Sequence, residues 1–436
     1  MVPEKSLTIV GGGLAGSEAA WQAANRGVPV RLFEMKPCRF SPAHESPDLA
    51  ELVCSNSLRS NELTSAVGLL KEEMRRLGSL IMAVAEQTQV PAGKSLAVDR
   101  HRFSSEVTKS IQSHPNVTLI REEVGDLDVE APSIIATGPL SSAAMTQLLG
   151  RLTDSGDLYF YDAIAPIVYA ESIDKRIAFM ASRYQDGEGD YLNCPFDEEQ
   201  YQVFYEALMK AEQTPLRAFE EPQFFEGCLP IEVLASRGDK TLLFGPMKPV
   251  GLKDPATGKR PFAVVQLRKE NLEGTLYNMV GFQTRLRRPA QERVFRMIPA
   301  LADARFARFG SVHRNTFVNG PKWLKPTLQL KNHPNILLAG QITGVEGYVE
   351  STAMGLLAGI NGARLLQGLP LVVPPPESAL GALVCHISAS VSKNFQPMNV
   401  NFGLFPPPAK RIPKKHRRDA YVDRALQELT AWTQQL

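Results

Sequence analysis

The sequence predicts an α/β protein in which one domain of alternating strands and helices is interrupted by an inserted α+β domain. A strand runs into a glycine-rich turn and a helix at the start of the chain, and another strand runs into glycines after residue 335. Between them, from residue 139 to residue 315, short strand-like pieces alternate with helices. We therefore expect residues 1–138 and 316–436 to form one discontinuous domain, and residues 139–315 to form the insertion.

The first turn has the pattern of a dinucleotide-binding site. Residues 7–10 read Leu-Thr-Ile-Val, a short buried strand, and residues 11–16 read Gly-Gly-Gly-Leu-Ala-Gly. In this pattern Gly11 permits the tight turn, Gly13 lets the backbone approach a pyrophosphate, and Gly16 lets the following helix pack closely on the strand. The N–H groups at the start of that helix would hold the phosphates.

An acidic residue stands at the expected distance from this turn. Residues 29–33 form the next predicted strand, and Glu34 follows 18 positions beyond Gly16. There its carboxylate can accept hydrogen bonds from a ribose. A glycine-rich turn that binds nothing would not explain this acid. We predict cofactor contacts from Gly11, Gly12, Gly13, Leu14, Ala15, Gly16, Glu34, Met35 and Lys36.

Two later segments favour FAD as the dinucleotide. Residues 132–138 read Pro-Ser-Ile-Ile-Ala-Thr-Gly, and a strand at 335–340 runs into further glycines before a helix predicted over about residues 350–367. Each segment alone is equally typical of an ordinary strand–helix turn. Together they resemble the FAD-binding pattern of the Rossmann domain in glutathione-reductase-like flavoproteins. The additional predicted FAD contacts are Thr137, Gly138, Gly340, Gln341, Glu346, Gly347, Tyr348 and Ser351.

Hydrophobic periodicity predicts the remaining elements. The predicted helices cover about residues 66–87, 99–113, 197–211 and 419–435. The predicted strands cover residues 117–120, 158–161 and 167–169. The helix predicted over about residues 350–367 contains many small residues, so we expect its backbone to pack closely against a neighbouring element. These small residues are Ala353, Gly355, Ala358, Gly359, Gly362 and Ala363.

Composition indicates a globular cytoplasmic protein. Hydrophobic residues make up 44% of the 436 residues and charged residues 22%, which is ordinary for a soluble enzyme. The sequence shows neither an apolar run of membrane-spanning length nor a signal peptide. The five cysteines include no Cys-x-x-Cys pair, so we expect neither a disulfide scaffold nor a metal site. We predict a reducing cytoplasm and no membrane partner.

Basic clusters indicate an anionic polymer as a partner. Residues 284–296 hold five arginines, and residues 410–418 hold six fixed cations in nine positions. Such clusters suit phosphate backbones, although a solvated charge run is equally typical. The predicted RNA contacts are Arg285, Arg287, Arg288, Lys410, Arg411, Lys414, Lys415, Arg417 and Arg418.

Two cysteines lie in polar loops and are candidates for chemistry. Cys54 stands in Leu-Val-Cys-Ser-Asn-Ser-Leu-Arg, and Cys228 stands between Gly227 and Leu229 in Phe-Phe-Glu-Gly-Cys-Leu-Pro-Ile-Glu. A single cysteine is more often a small buried hydrophobe. We expect that role for Cys194 and Cys385.

The chain resembles the bacterial folate- and FAD-dependent tRNA (uracil-5-)-methyltransferases, which are relatives of larger flavoproteins that modify wobble uridines. The resemblance covers nearly the whole chain. It rests on the fingerprint together with residues 53–59, 71–75, 91–93, 97–100, 225–232, 280–284, 313–316 and 340–348.

The resemblance implies a reaction. Such enzymes use 5,10-methylenetetrahydrofolate, NADH or NADPH, and FAD to form 5-methyluridine at position 54 in the T loop of tRNA, through a flavin-bound methylene carrier. It implies that Cys228 adds to uracil C6 and that Cys54 is a second essential cysteine beside the flavin, although the two roles could be exchanged. The candidate folate or substrate contacts are Asn56, Arg59, His313, Arg314 and Asn315.

Three other readings stay open at this point. A wobble-uridine flavoprotein would need a partner GTPase and a long helical extension, whereas only about 60 residues follow Pro376. A plain NAD(P)H-dependent flavin oxidoreductase would not need the basic tail. An RNA-binding protein with FAD as a structural element would not need Cys228. We expect no obligatory protein partner.

Overall fold

The computed structural model describes residues 5–153, 158–184, 187, 189–215, 229–389, 395–408 and 412–436. The strands of these residues are β1 (Leu7–Val10), β2 (Val30–Phe33), β3 (Ser57–Ser60), β4 (Gln89–Val90), β5 (Ser95–Val98), β6 (Val117–Ile120), β7 (Ser133–Ile135), β8 (Leu158–Ile164), β9 (Ile167–Tyr169), β10 (Phe179–Ala181), β11 (Tyr191–Phe196), β12 (Ala263–Lys269), β13 (Leu276–Met279), β14 (Phe306–Arg308), β15 (Ser311–Phe317) and β16 (Ile336–Leu338). The helices are α1 (Leu14–Ala24), α2 (Ala66–Arg76), α3 (Leu80–Gln87), α4 (Arg100–Ser113), α5 (Ala143–Thr153), α6 (Glu198–Met209), α7 (Ile231–Ala235), α8 (Thr241–Phe244), α9 (Arg288–Phe295), α10 (Gly320–Trp323), α11 (Tyr348–Leu366), α12 (Ala379–Ala389) and α13 (Arg417–Thr433).

A five-stranded parallel sheet lies at the centre of the first part of the molecule. Its strand order is β16-β7-β1-β2-β6, so the strand after the predicted insertion completes a sheet that the first residues begin. All of its neighbouring strands run parallel. In such sheets ligands bind beyond the carboxyl ends of the strands. The predicted α/β class is confirmed.

Helices α1 and α11 cover one face of this sheet with unusually close backbones. A Cβ atom added at Gly355 would lie 2.2 Å from the carbonyl oxygen of Ala15, and one at Gly359 would lie 2.4 Å from that of Ala19. Only glycine therefore fits at these two positions. The predicted close approach of the late helix is confirmed, and it brings the start of α11 beside the start of α1.

A second sheet carries a separate hydrophobic core. Its order is β10-β11-β12-β13-β9-β14, with antiparallel pairing, and Phe204, Phe282 and Phe295 are fully buried against it. The first core includes residues from both ends of the chain, such as Leu7 and Leu429. Helix α5 also packs into the first core, although it follows residue 138. The two cores are the physical basis on which domain boundaries can be proposed.

The helix predicted over residues 66–87 is wrong, because the chain forms two helices there. Gly78 adopts a φ of +70°, and the Ser79 hydroxyl accepts a hydrogen bond from the N–H of Met82 to begin α3. The buried carboxylate of Glu18 also accepts the N–H of Ile81 at 3.0 Å. A Gly-Ser pair of this kind ends one helix and starts the next.

The other predicted elements are confirmed within a few residues. Helix α4 begins after Asp99, whose side chain accepts the N–H of Arg102, and α6 begins after Asp197 with a complete capping box. In the part of the chain that the structure describes, no helix combines the length and apolar character needed to cross a membrane.

Candidate cofactor and catalytic site

The three glycine-containing segments meet at one cleft. It lies at the carboxyl ends of β1, β2, β7 and β16 and encloses about 1090 Å³ of space, part of it open to solvent. The predicted contacts that line it are Gly11, Gly13, Leu14, Ala15, Glu34, Met35, Lys36, Thr137, Gly138, Gly340, Gln341, Tyr348 and Ser351. Residues far apart in sequence are thus brought together by the sheet order.

The glycine turn leaves room for a ligand backbone. Cβ atoms added at Gly13 or Gly138 would meet no protein atom within 4 Å, whereas one at Gly16 would lie 1.7 Å from the carbonyl oxygen of Gly11. Helix α1 begins at Leu14 without a side-chain cap. No capping side chain therefore accepts hydrogen bonds from its first N–H groups, which lie at the cleft. This arrangement fits a pyrophosphate at the helix start.

Glu34 ties the glycine turn to the end of β2. One carboxylate oxygen accepts the N–H of Gly12 at 2.8 Å, and the other accepts the N–H of Lys36 at 2.9 Å. Each oxygen keeps a second lone pair for a hydroxyl group. Glu34 therefore fixes the turn's geometry and can also bind a ribose, whose contact stays a prediction.

Four of the predicted cofactor residues are not among those that line the cleft, namely Gly12, Gly16, Glu346 and Gly347. Gly12 and Gly16 are packed against Glu34 and Gly11. The carboxylate of Glu346 is buried and accepts a hydrogen bond from the Gln341 amide at 2.7 Å. Burial, aided by the negative charge of Asp162, raises the pKa of Glu346 well above its usual value. Glu346 and Gln341 shape the turn before α11 together with Gly347.

Sequence reasoning missed several residues that line the cleft. His44 lies in a loop without a motif, and its imidazole is 2.5 Å from the Ser41 hydroxyl. Burial, with the nearby cation of Lys36, lowers the pKa of His44 to about 4. Glu51 forms an ion pair with Lys36 at 3.1 Å. Only the folded loop brings these side chains to the cleft.

Cys54 lies at the edge of this cleft. Its backbone N–H donates a hydrogen bond to the phenolic oxygen of Tyr348 at 2.7 Å, and both Val53 and Tyr348 line the cleft. The Cys54 side chain is half-buried. Burial raises the pKa of Tyr348, so its hydroxyl stays protonated and can itself donate a hydrogen bond. The folded loop therefore places Cys54 beside a residue that lines the cleft.

Two arginines of the second sheet, buried Arg268 and half-buried Arg308, hold the Cys54 loop. The guanidinium of Arg268 donates to the Asn56 side-chain oxygen at 2.9 Å and to the Ser55 hydroxyl at 2.8 Å. Arg308 donates to the carbonyl oxygen of Val53 at 2.9 Å. Asn56 is fully buried, and its amide nitrogen donates to the carbonyl oxygen of Val98. Both polar atoms of the Asn56 side chain therefore form hydrogen bonds with other protein residues.

Arg59 pairs with a buried acid. Its guanidinium contacts the carboxylate of Glu350 in the first turn of α11. The carbonyl oxygen of Arg59 accepts a hydrogen bond from the fully buried Lys71 ammonium at 3.1 Å. Arg59 adopts a φ of +61°, a left-handed conformation that this network holds in place. Arg59 thus links α2 with the start of α11.

The other candidate substrate residues lie on β15. The His313 ring is half-buried and lies 2.9 Å from the Ser311 hydroxyl. Burial, aided by the cation of Arg308, lowers the pKa of His313, which favours a neutral ring. Asn315 is buried, and the side chain of Arg314 lies outside the described residues.

Cys228 lies outside the described residues, as do Lys410, Arg411 and the side chain of Lys414. Among the predicted RNA contacts that the structure describes, Arg285 forms an ion pair with Glu232. The Glu232 carboxylate also accepts a hydrogen bond from the backbone N–H of Arg285. The exposed ones are Arg287, Arg288, Lys415, Arg417 and Arg418. Within the described ranges, no group of three or more histidine, cysteine or acidic side chains is arranged to hold a metal ion.

The fold and the cleft define a dinucleotide-binding α/β protein of the Rossmann class. The family model described as "Glucose inhibited division protein A" matches residues 6–370. The chain is 58% identical over 425 residues to the methylenetetrahydrofolate–tRNA-(uracil-5-)-methyltransferase TrmFO of Heliobacterium modesticaldum, covering 97% of both chains. It is 60% identical over 428 residues to the TrmFO of Geobacter sulfurreducens, covering 98% of both.

The chain belongs to the TrmFO family, which falls under the family model for glucose inhibited division protein A. The structure of Aquifex aeolicus GidA is similar with a TM-score of 0.71 at 18% identity, covering 99% of this chain and 74% of that one. This likeness confirms the predicted fold. The family resemblance predicted from the sequence motifs is confirmed as well.

Proposed function

We propose that this chain is an FAD-dependent methylenetetrahydrofolate–tRNA-(uracil-5-)-methyltransferase, with NADH or NADPH as reductant. The observation that carries the proposal is the identity of 58–60% over nearly the whole chain with two enzymes of that name. The cleft supplies independent support, because it joins a pyrophosphate site to a cysteine-bearing loop. Uridine 54 in the T loop of tRNA is the proposed target, and the cytoplasm the proposed location.

The residues around the cleft fit FAD. The N–H groups at the start of α1 would hold the pyrophosphate, and Glu34 would accept a ribose hydroxyl. The starts of α11 and of the Cys54 loop would face the flavin end, since Tyr348 and Ser351 line the cleft there. When bound, FAD supplies the redox and one-carbon chemistry that side chains lack.

Activation of the uracil is the task of the protein's own residues. We assign Cys228 as the nucleophile whose thiolate adds to uracil C6. The electron pair of the C5–C6 double bond then makes C5 nucleophilic toward the one-carbon unit. Loss of the C5 proton releases the one-carbon unit from its carrier, which leaves with the bonding electron pair, and forms an exocyclic methylene at C5. A hydride equivalent that derives from NAD(P)H adds to this methylene, and departure of the thiolate from C6 restores the C5–C6 double bond.

Cys54 is the second cysteine of the proposal. Because its loop is fixed by Tyr348, Arg268 and Arg308, its position relative to the cleft is set before substrate arrives. Its thiol would take the C5 proton or shield the bound one-carbon unit from water. His313 and Asn315 on β15 are the proposed neighbours of folate or of the target base.

Exposed arginines and lysines would hold the tRNA backbone. Arg417 and Arg418 begin α13, where cations oppose the helix dipole at a cost of about 0.3–1 kcal/mol each. Contact with phosphates would offset that cost. Arg287 and Arg288 at the start of α9 form a second exposed pair. We also propose the division into residues 1–138 with 316–436, and 139–315, because each part contributes most of one hydrophobic core.

The proposal is tested by supplying unmodified tRNA transcript, FAD, NADPH or NADH and one methyl donor at a time. We expect 5-methyluridine only with methylenetetrahydrofolate, and none in a matched transcript that carries cytidine at position 54. Product that forms only with S-adenosylmethionine would contradict the assignment. Oxidation of NAD(P)H without any methylated tRNA would favour a plain flavin oxidoreductase.

A further inference from the structure

Two aromatic side chains stand out on the surface of the second part of the molecule. Phe244 is 82% exposed and Tyr184 is 70% exposed, the largest values among the large hydrophobic side chains that the structure describes. Single exposed apolar residues are common. Two large rings on adjoining segments are not required by the fold, because neither packs into the core beneath them.

The segment of Tyr184 contacts the segment that follows Phe244 in the chain. The guanidinium of Arg183 donates to the carbonyl oxygen of Lys248 at 2.6 Å, and the N–H of Tyr184 donates to the carbonyl oxygen of Gly251 at 3.2 Å. A Cβ atom added at Gly251 would lie 2.8 Å from the Tyr184 ring. Phe244 ends α8, only a few residues before this contact. We call residues 183–184 and 237–260 the aromatic–basic surface.

The charge of this surface is positive along residues 237–260. The cations there are Arg237, Lys240, Lys248, Lys253, Lys259 and Arg260, against the acids Asp239 and Asp254. Asp254 is buried and accepts hydrogen bonds from the Ala256 N–H and the Thr257 hydroxyl. The sequence from 182 to 190 contains three acids, so the excess positive charge belongs to residues 237–260.

The strand register places Tyr184 just beyond the sheet end that contacts the Cys54 loop. Ala181 pairs with Tyr191, which pairs with Arg268, and Arg268 donates to the Ser55 hydroxyl beside Cys54. Tyr184 lies three residues beyond Ala181. With strands about 4.8 Å apart and about 3.3 Å per residue, Tyr184 is roughly 15–20 Å from the Cys54 loop. An RNA loop of several nucleotides spans that distance.

We propose that the aromatic–basic surface binds unpaired nucleotides of the RNA substrate, with bases stacked on Phe244 and Tyr184 and phosphates held by Lys248, Lys253 and Lys259. Aromatic rings beside cations suit single-stranded RNA, since every base offers a flat face and every phosphate a negative charge. The inference rests on the proposed function and deepens it, because it names where the loop nucleotides around the target base would lie.

The test measures binding of the FAD-loaded enzyme to a labelled T-arm hairpin RNA at several salt concentrations. Phe244→Ala and Tyr184→Ala should each weaken binding by roughly 5- to 150-fold with an unchanged salt dependence. Phe244→Trp should retain affinity, because the ring is kept. Lys253→Gln and Lys259→Gln should each lower the slope of log affinity against log salt by about 1. Val203→Ala, at a residue 52% exposed on α6, is the matched control and should bind like the wild type.

Each outcome decides the inference. Wild-type affinity in both aromatic alanine variants would overturn it, as would equal weakening by Val203→Ala. Conversion of a wild-type dimer to monomers by Phe244→Ala would also overturn it, since a second copy of the chain would then cover the surface. Melting temperature and bound flavin should not change in the variants. If the wild type binds the RNA but does not methylate it, the proposed function is refuted, whereas the assignment of the aromatic–basic surface as an RNA-binding site is retained.

Discussion

The backbone N–H of Cys54 donates a hydrogen bond to the phenolic oxygen of Tyr348 at 2.7 Å. Tyr348 is the first residue of α11, whose start lines the cofactor cleft, whereas Cys54 follows β2 near the other end of the chain. The N–H of Ser55 reaches the same oxygen at 3.3 Å. One hydroxyl therefore joins the cysteine loop to the helix whose first turn lines the cleft.

Replacement of Tyr348 by phenylalanine tests this link. The substitution keeps the ring and leaves the Cys54 N–H without its partner, at a cost of about 1–3 kcal/mol. We expect a lower melting temperature and slower methyl transfer, with FAD still bound. Tyr205→Phe is the matched control, since its hydroxyl donates to Ala235 at 3.1 Å away from the cleft. Equal rates in the wild type and Tyr348→Phe would contradict a positioning role.

The cysteines should differ sharply in their effect on activity. Alanine at Cys54 or Cys228 should abolish 5-methyluridine formation while FAD stays bound. The expectation that Cys385 is buried is wrong, because its side chain is exposed on α12, and alanine there should leave the rate unchanged. Alanine at fully buried Cys194 should lower stability through lost packing rather than chemistry. Rates and flavin content measured on the same samples separate these results, and an active Cys54→Ala variant would refute its assigned role.

The glycine turn predicts opposite outcomes for two alanine variants. Gly13 has φ −71° and ψ −167°, which alanine adopts, and its added methyl group would point into the cleft. Gly13→Ala should fold normally and bind FAD about tenfold or more weakly, a loss of about 1.4 kcal/mol. Gly16→Ala should fail to fold, because its methyl group would overlap the Gly11 carbonyl. Circular dichroism and flavin titration distinguish the two, and normal FAD affinity in Gly13→Ala would contradict the pyrophosphate site.

Lys71 should make stability depend on pH. Burial, with the cations of Arg75 and Arg59, lowers its pKa to about 7, against 10.5 in the unfolded chain. Between these values the unfolded chain binds more protons, so stability rises with pH by up to about 1.4 kcal/mol per unit and is lost as pH falls toward 7. Lys71→Met should remove this contribution.

The measurement is the melting temperature of the wild type relative to Lys71→Met between pH 8.5 and 10. We expect the melting temperature of the wild type to increase relative to that of the variant as pH rises. Lys94→Met is the control, because Lys94 is exposed and pairs with Glu62 at the surface. A constant difference across this range would show that Lys71 is not titrating.

Local signals in the sequence predicted the elements that frame the cleft. Glycine spacing and the acid after β2 predicted residues that line the cleft, and Asp99 and Asp197 marked two helix starts. The break at Gly78 and Ser79 was signalled too, but the hydrophobic periodicity on either side concealed it. These features depend on neighbours a few residues apart, which is why a sequence reveals them.

Features that depend on distant contacts could not be predicted. Arg268 holds the Cys54 loop from a strand of the second sheet, and the buried carboxylate of Glu73 accepts the first N–H groups of α12. His44 reaches the cleft from a loop without a motif. The family resemblance made Asn56 a candidate substrate contact, but both polar atoms of its side chain form hydrogen bonds with other protein residues.

The central claim is that one cleft carries a carbon unit from folate to tRNA. The most direct measurement loads the FAD-containing protein with methylenetetrahydrofolate labelled in its methylene carbon, under reducing conditions, and removes free folate by gel filtration. Unlabelled tRNA transcript is then added alone. The account predicts that label stays with the protein and appears in 5-methyluridine within one turnover. Label that leaves with the folate, or that stays on the protein and never appears in 5-methyluridine, would contradict it.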